Sequence, residues 1–343
     1  MRFRTSKWTA LLAGLVIAFA SAGPISAQQT VDVIKKRDIL HCGVNTGVAG
    51  FSAPDDKGRW TGFDVDICRS VAAAVLGNGE KVRFVPLSSK ERFTALQSGE
   101  IDMLSRQTTQ TMSRDTGLGL TFVAIAYFDG QGFMVRKSLG VKSAKDLKGA
   151  TVCLQAGTTN EQNFADFTRA NKLETKSVVF ETADETQKAL DAGRCDTISS
   201  DASQLYSQRL KMSKADDFIV LPEIISKEPL GPVVRQGDAA WMNVVKWTFN
   251  ALLIAEELGI TKANIDNFQS ATAPDVRRLL GLEGEFGKSI GLDTDWAVKA
   301  IKAVGNYAEI YESNVGSGSR LKIDRGLNKL WSAGGLQYAA PIR

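Results

Sequence analysis

Short apolar runs alternate with amphipathic stretches along the first third of the chain. ILHCGV (39–44), KVRFVPL (81–87) and IDMLS (101–105) have the length and composition of buried strands. FDVDICRSVAAAVLG (63–77) and ERFTALQSG (91–99) carry apolar residues at helical spacing and end on glycine, as many helices do. The order strand, helix, strand, helix, strand predicts an α/β layer with parallel strands.

The same order of elements returns in the middle of the chain. The stretch ALQSGEIDMLS (95–105) overlays ALDAGRCDTIS (189–199) with five identical residues out of eleven. This repeat predicts two similarly built α/β lobes. The predicted elements of the second set are ATVCLQ (150–155), TTNEQNFADFTRAN (158–171), KSVVF (176–180), ADETQKALDAG (183–193) and RCDTISS (194–200).

Glycine-containing apolar segments flank the second set. YFDGQGFMVRK (127–137) precedes it, and EPLGPVVRQGD (228–238) follows it and leads into a long predicted helix over residues 241–259. We expect the chain to cross between the lobes in these segments, with a ligand in the crevice outside the carboxyl ends of the strands. The tail after residue 260 is expected to pack back on the first lobe. The expected division is residues 28–131 and 229–343 for lobe 1 and residues 132–228 for lobe 2.

The first 27 residues have the composition of a secretory signal peptide. Three basic residues open the segment, residues 10–20 are apolar and uncharged, and small residues follow. The apolar part is too short for a membrane span. We expect cleavage after Ala27, with cleavage after Ala22 as the alternative, and an exported mature protein.

The net charge of +4 does not favour a nucleic-acid partner. The expected signal peptide holds three of the 42 Lys and Arg residues and none of the 38 Asp and Glu residues, so the mature charge is +1. The remaining basic residues form no clustered stripe. We therefore expect no nucleic-acid partner.

Cysteine and histidine usage gives no indication of a metal or redox site. Four cysteines in an exported chain allow two disulfides, with three connectivities, and none belongs to a CxxC pair. His41, the only histidine, lies in a predicted strand, where a structural role is expected. EFGKS (285–289) lacks the glycine spacing of a phosphate loop. We expect no metal and no cofactor.

Three loops that follow predicted strand ends carry the polar chemistry. They are SRQTTQTMSRD (105–115), QAGTTNE (155–161) and SSDASQL (199–205). Together they supply an arginine, an aspartate, several hydroxyl groups and the start of a helix. This set suits a zwitterion, because arginine binds a carboxylate with two prongs and helix N–H groups attract the same anion. An aspartate accepts hydrogen bonds from an ammonium.

These loops and the order of the elements resemble those of the type II (family 3) periplasmic solute-binding proteins for polar amino acids. The resemblance covers nearly all of the mature chain, through GFDVDIC, ALQSGEIDMLS, LQAGTTNE, DAGRCD and PLGPVVRQGD. The tail motifs NYAEIYESNVG and GGLQYAAPIR narrow it to general L-amino-acid binders of ABC uptake systems. The resemblance implies an α/β fold of two lobes joined by a two-segment hinge.

The resemblance also implies how the two charged groups of an amino acid are held. An arginine would clamp the α-carboxylate with help from the start of a helix in the other lobe. An aspartate, a backbone carbonyl and a hydroxyl would take the α-ammonium. The implied residues are Arg114, Thr158 and Thr159 for the carboxylate, and Asp201, the Gln107 carbonyl and the Thr109 hydroxyl for the ammonium.

Selectivity for the ligand side chain is implied by a second group of residues. Arg92 matches a position that reaches the side chain in acidic-amino-acid binders. Asn45 and Val48 stand where basic-amino-acid binders carry a carboxylate and an aromatic residue. Arg106 replaces a small residue. Two arginines without a nearby carboxylate predict that acidic and neutral polar side chains bind better than cationic ones.

One disulfide is expected within each lobe. Cys42 lies on the first predicted strand and Cys68 on the helix expected to pack over it. Cys153 and Cys195 lie on two predicted strands that are expected to be neighbours. The expected pairs are therefore Cys42–Cys68 and Cys153–Cys195.

The function implied by the resemblance is binding without catalysis. The lobes would close on an L-amino acid, and the closed form would deliver it to permease subunits of an ABC transporter in the inner membrane. We expect a monomer. Two alternatives stay open: a periplasmic dehydratase on the same fold, and a ligand-binding module for a sensor.

Overall fold

The computed structural model describes residues 29–343, so the expected signal peptide and both candidate cleavage sites lie outside the described residues. The strands are β1 (Leu40–Val44), β2 (Ala53–Pro54), β3 (Trp60–Thr61), β4 (Val82–Pro86), β5 (Met103–Leu104), β6 (Leu120–Phe122), β7 (Tyr127–Asp129), β8 (Gln131–Arg136), β9 (Thr151–Gln155), β10 (Lys176–Phe180), β11 (Thr197–Asp201), β12 (Phe218–Val220), β13 (Glu228–Leu230) and β14 (Val233–Arg235). The α-helices are α1 (Thr30–Arg37), α2 (Phe63–Leu76), α3 (Arg92–Ser98), α4 (Met112–Gly117), α5 (Thr159–Asn171), α6 (Ala183–Asp191), α7 (Ala202–Leu210), α8 (Ala239–Glu257), α9 (Pro274–Leu279), α10 (Phe286–Ser289), α11 (Trp296–Val304) and α12 (Tyr307–Asn314).

The first lobe is built on a five-stranded sheet in the order β4-β1-β5-β14-β6. Strand β1 pairs in parallel with β4 and β5, as the alternating pattern predicts. Strand β14, which returns from the second lobe, pairs antiparallel with β5 and β6. Helix α2 packs between β1 and the helices α8 and α11, so both of its faces are covered. This explains why nearly every residue of α2 is buried.

The second lobe repeats this arrangement in the order β10-β9-β11-β8-β12. Strand β9 pairs in parallel with β10 and β11, and β8 pairs antiparallel with its two neighbours, β11 and β12. Its helices α5, α6 and α7 pack against these strands. The structure therefore confirms the predicted two-lobed α/β fold.

The chain passes between the two sheets in a pair of antiparallel strands, β7 and β13, which we call the hinge strands. Glu228 lies opposite Asp129 in this pair. Gly231 follows β13 at a point where two backbone segments come close together, since a Cβ there would lie 1.8 Å from the Ala124 carbonyl oxygen. The division at residues 131/132 and 228/229 stays a prediction.

The C-terminal tail packs on the first lobe and contacts a hinge strand directly. Helix α11 lies against α2, and the Tyr311 ring stacks on Tyr127 of β7 with centroids 5.8 Å apart. The Asn328 amide accepts from the Phe128 N–H at 2.7 Å and donates to the Phe128 carbonyl at 3.1 Å. One side chain of the tail thus satisfies both backbone groups of a hinge residue.

The structure pairs the cysteines within the lobes. Cys42–Cys68 joins β1 to α2 with Cα atoms 6.2 Å apart, and Cys153–Cys195 joins β9 to the segment before β11 with Cα atoms 5.8 Å apart. Cys195 was expected on a strand, but the strand begins two residues later, at Thr197. Each bond closes a loop of tens of residues, which the chain-entropy model values at about 3–4 kcal/mol.

The described residues contain neither a helix that could span a membrane nor a metal-binding group of side chains. Between residues 29 and 343, no helix is long and apolar enough to cross a membrane. In the same part of the chain, no group of three or more His, Cys, Asp or Glu side chains is arranged to hold a metal ion.

Candidate ligand-binding site

A small polar cavity lies between the lobes. Six of the seven predicted ligand residues line it, and the seventh, Arg114, does not. The six are Arg92, Gln107, Thr109, Thr158, Thr159 and Asp201.

The threonine-rich loop after β5 is fixed by backbone hydrogen bonds to the second hinge strand. The Thr108 carbonyl accepts from the Gly231 N–H at 3.1 Å, and the Gln110 N–H donates to the Pro229 carbonyl at 2.8 Å. Gln107 adopts a left-handed conformation with φ of 41°, which is costly for a residue other than glycine. Its N–H donates to the Asp64 carboxylate at 3.1 Å. The loop is therefore held in a defined shape beside the cavity.

Arg114 follows this loop on α4, whose start is capped by the Thr111 hydroxyl. Its guanidinium donates to the Thr109 carbonyl at 2.9 Å and lies over the Phe93 ring, 5.3 Å from the centroid. Burial lowers the pKa of Arg114, and the charges of Glu228 and Asp201 act in the opposite direction. Among residues 29–343, no carboxylate forms an ion pair with Arg114. Its charge is thus available to an anion at the rim of the cavity.

Asp201 stands on the opposite lobe, at the end of β11 and the start of α7. One of its oxygens accepts from the Asn160 amide at 2.9 Å. Burial raises the pKa of Asp201 well above its ordinary value, and the neighbouring carboxylates Glu228 and Asp129 raise it further. A cation bound beside Asp201 would relieve this penalty, so the site favours an ammonium group.

The start of α5 is available to an anion through its backbone rather than its hydroxyls. The Thr158 hydroxyl donates to the Gln155 carbonyl at 2.7 Å, and the Thr159 hydroxyl donates to Glu228 at 2.9 Å. The N–H groups of the first helical turn have no partner within the helix. Gly157 precedes them with φ of 72°, and a Cβ there would lie 3.0 Å from a Lys90 side-chain atom of the other lobe.

Two buried arginines line the cavity on the first lobe. Arg92 is 3% exposed and donates to the Gly157 carbonyl across the cleft at 3.3 Å. Arg106 is 2% exposed and donates to the Ser89 hydroxyl at 3.4 Å, but its Nε and Nη1 are buried without a partner. Burial lowers the pKa of Arg106 to about 10, although the Asp64 carboxylate acts in the opposite direction. Unpaired buried N–H groups on a cation indicate space for an anionic group.

Of the other two residues expected beside the ligand side chain, only one reaches the cavity. Asn45 lines it. Val48 does not: it is 3% exposed and belongs to the core of the first lobe. Its backbone pairs with Ser52 in a tight turn, and this turn directs the side chain inward.

Sequence reasoning missed a buried carboxylate directly behind two of the threonines that line the cavity. Glu228 of β13 is 1% exposed and accepts from Thr109 at 2.5 Å and from Thr159 at 2.9 Å. It also accepts from the Asn163 amide at 2.6 Å and the Ser226 hydroxyl at 2.7 Å. The segment EPLGPVVRQGD was recognised as a crossing, but nothing in its pattern separates this glutamate from a surface one. Asn160, the donor to Asp201, was missed for the same reason.

The lobes touch each other around the cavity. At the rim, Lys90 forms an ion pair with Glu181 at 2.6 Å, and Lys211 donates to the Gly47 carbonyl at 2.6 Å. Inside, the Gln107 amide donates to the Ser203 hydroxyl at 3.1 Å. These contacts join the two lobes on several sides, so the cleft is closed in this structure.

The chain is similar to known proteins over nearly its whole length. It is 55% identical over 332 residues to the General L-amino acid-binding periplasmic protein AapJ of Rhizobium johnstonii, covering 96% of this chain and 97% of that protein. It is 53% identical to the Glutamate/glutamine/aspartate/asparagine-binding protein BztA of Rhodobacter capsulatus, covering 98% and 100%. A solved ABC transporter / periplasmic binding protein from Brucella ovis with glutathione bound is 57% identical, with a TM-score of 0.91 over 92% of this chain and 100% of that one.

A family model matches the two lobes as a unit. It is described as bacterial extracellular solute-binding proteins, family 3, and it spans residues 40–260. This range includes both sheets, the hinge strands and every residue that lines the cavity. The chain therefore belongs to the bacterial extracellular solute-binding proteins, family 3.

Proposed function

We propose that this protein is the substrate-binding component of an ABC importer and captures L-amino acids over a broad range, with acidic and polar ones favoured. The observation that carries the proposal is a pair of unlike charges from the two lobes, one lining the closed cavity and the other bonded to a residue that lines it. Arg114 comes from the first lobe and has no carboxylate in an ion pair with it in the described chain, whereas Asp201 comes from the second lobe with its pKa raised by burial. A zwitterion between them compensates both.

The α-ammonium would lie against Asp201, the Thr109 hydroxyl and the Gln107 carbonyl. The α-carboxylate would take a two-pronged hydrogen bond from Arg114 and further donors from the N–H groups of Thr158 and Thr159 at the start of α5. Arg114 does not line the closed cavity, but its guanidinium is bonded to Thr109, which does. Its remaining N–H groups therefore lie next to a ligand held by Thr109.

The preference for acidic and polar side chains rests on Arg92 and Arg106. Both are buried, and each has a nitrogen atom without a hydrogen-bond partner in the described part of the chain. A carboxylate or amide oxygen of a ligand would supply those partners, whereas the ammonium of lysine would face two like charges. BztA, the relative of 53% identity that is named for binding glutamate, glutamine, aspartate and asparagine, is consistent with this preference.

The remaining parts of the proposal follow from the family and the relatives. We propose export to the periplasm, delivery of the ligand to inner-membrane permease subunits, and a monomeric protein that binds without catalysis. Lobe 1 would comprise residues 28–131 and 229–343, and lobe 2 residues 132–228. The relative at 55% identity is named as a periplasmic amino-acid-binding protein, and this supports transport over a dehydratase.

Glutathione is a second candidate ligand. The Brucella ovis protein of 57% identity was solved with glutathione bound. The glutamyl end of glutathione carries the same α-carboxylate and α-ammonium as a free amino acid, so the same charge pairing could hold it. Because of its peptide portion, glutathione would need the lobes to lie further apart than a free amino acid would.

Calorimetry on protein that has been unfolded, dialysed and refolded to remove bound ligand tests the proposal. We expect one-to-one binding of L-glutamate, L-aspartate and L-glutamine, with L-arginine and L-lysine at least about tenfold weaker, which corresponds to about 1.4 kcal/mol. L-arginine binding as tightly as L-glutamate would remove the proposed side-chain preference. Binding of glutathione but of no free amino acid would transfer the function to the second candidate.

A further inference from the structure

The carboxylate of Glu228 joins parts of the chain that are distant in sequence. Thr109 belongs to the loop after β5, Thr159 and Asn163 belong to α5, and Glu228 itself lies on a hinge strand. The two threonine hydroxyls share one of its oxygens, Oε2, and they approach within 3.5 Å of each other. This bridge from first lobe to second lobe exists only while the cleft is closed.

The direction of these hydrogen bonds decides what the threonines offer a ligand. Four donors converge on the two carboxylate oxygens, and in this arrangement both threonine hydroxyls donate their single proton to Glu228. Each hydroxyl then has only lone pairs left for a further partner. Toward the cavity, which Thr109 lines, it can accept from a ligand N–H but cannot donate to a ligand oxygen.

We propose that Glu228 is a positioning residue that fixes the Thr109 hydroxyl as an acceptor for the ligand α-ammonium and ties Thr109 to Thr159 when the lobes close. This inference rests on the proposed function, because it assumes that an α-ammonium lies beside Thr109 and Asp201. The inference adds a second reason why a ligand with a hydrogen-bond acceptor in place of its ammonium binds weakly. Asp201 repels such an acceptor by its charge, and the Thr109 hydroxyl has no proton left to donate to it.

The Glu228→Gln variant keeps the shape of the side chain but no longer requires both threonine hydroxyls to donate to it. A glutamine amide carries one accepting oxygen and one donating nitrogen. Where the nitrogen faces Thr109 and Thr159, these hydroxyls must turn and accept from it, and their protons are released toward the ligand. Where it faces Asn163 and Ser226, the threonines donate to a neutral oxygen, which is a weaker acceptor than a carboxylate. The matched control is Glu181→Gln, which also changes a carboxylate that joins the lobes. That carboxylate is 44% exposed at the rim, where an ion pair contributes little.

The test measures dissociation constants and dissociation rates for L-glutamate and for 2-oxoglutarate, which carries a keto oxygen in place of the amine. For Glu228→Gln we expect L-glutamate to bind on the order of tenfold more weakly, mainly through faster dissociation, because a charged hydrogen-bond acceptor is lost. We also expect the preference for L-glutamate over 2-oxoglutarate to shrink by a similar factor. Glu181→Gln should leave both quantities within about twofold.

Thr159→Val serves as a second variant, since it keeps Glu228 and removes only the bond from α5. Thr159→Val should speed the dissociation of L-glutamate. It should leave the preference for L-glutamate over 2-oxoglutarate unchanged, because the Thr109 hydroxyl still donates to Glu228. If Glu228→Gln leaves the preference for L-glutamate over 2-oxoglutarate unchanged, the assignment of Glu228 is wrong. If that variant does not fold, an unchanged dissociation rate of L-glutamate in Thr159→Val contradicts the assignment instead. Neither result affects the proposed function. A wild-type protein that binds no amino acid would overturn the proposed function and this assignment together.

Discussion

Replacing Arg114 with lysine should remove most of the affinity for an L-amino acid. The guanidinium already donates one N–H to the Thr109 carbonyl at 2.9 Å and rests over the Phe93 ring, so its plane is fixed before a ligand arrives. It can hold Thr109 and still present further N–H groups to a carboxylate. A lysine ammonium is a point charge and cannot keep both geometries.

The size of the loss follows from what the lysine cannot replace. One charge-assisted hydrogen bond contributes about 1.5–3 kcal/mol, and the second prong and the fixed orientation are lost as well. We therefore expect a loss of about 2–4 kcal/mol, or roughly 30- to 700-fold in the dissociation constant for L-glutamate. Titration calorimetry of the two proteins in one buffer, at one salt concentration, measures this directly.

A matched control separates this effect from general damage by the substitution. Arg136 also lies over an aromatic ring, 4.6 Å from the Phe218 centroid, and also donates to a backbone carbonyl, that of Leu190 at 3.0 Å. Unlike Arg114, Arg136 is not bonded to a residue that lines the cavity. Arg136→Lys should therefore leave the affinity within about twofold, while it changes the free energy of unfolding about as much as Arg114→Lys does. If Arg114→Lys also stays within threefold of the wild type, the clamp assignment is wrong.

Three further results are expected. Lowering the pH through about 6 should weaken L-glutamate binding, because burial raises the pKa of Asp201 in the free protein and raises that of Asp129 to about 6, whereas a bound ammonium favours the ionised carboxylates. Protons should therefore be released when L-glutamate binds. Calorimetry in two buffers of different ionisation enthalpy measures this release, and a release of zero would contradict the argument. Arg106→Gln should reduce the preference for L-glutamate over L-glutamine by about tenfold, measured as the ratio of their dissociation constants, and an unchanged ratio would exclude Arg106 from side-chain recognition. Asn328→Ala should lower the free energy of unfolding by about 1–3 kcal/mol in urea titrations, because both backbone groups of Phe128 lose their partner, and an unchanged midpoint would show that water replaces the amide.

The order of elements was readable from the sequence because each one is short and strongly patterned. Strand β10 coincides with the predicted KSVVF, and α2 with the predicted helix to within one residue. The segment 127–137 was less clear, since it forms two strands with a break at Gly130 rather than one interrupted strand. A Cβ at Gly130 would lie 2.2 Å from the Ile224 side chain, a contact across the hinge that local pattern does not reveal.

The site was predicted in outline but not in its hydrogen bonding. Asp201 could be expected at the crevice because loops after parallel strands meet at one edge of a sheet, whereas Arg92 was expected there only from the family resemblance. Val48 was misplaced because the direction of its side chain depends on a turn closed by Ser52. Glu228 was missed because its four donors come from three separate segments, so its role depends on contacts that exist only after both lobes have folded and met.

A crystal structure of the protein with L-glutamate tests the central claim most directly. The account predicts one ligand in the cleft, with its α-carboxylate within hydrogen-bond distance of the Arg114 guanidinium and the N–H of Thr159. The α-ammonium should contact Asp201 and the Thr109 hydroxyl, and the side-chain carboxylate should lie beside Arg106. A ligand bound in the reverse orientation, with its ammonium turned away from Asp201, or bound outside the cleft, would contradict it.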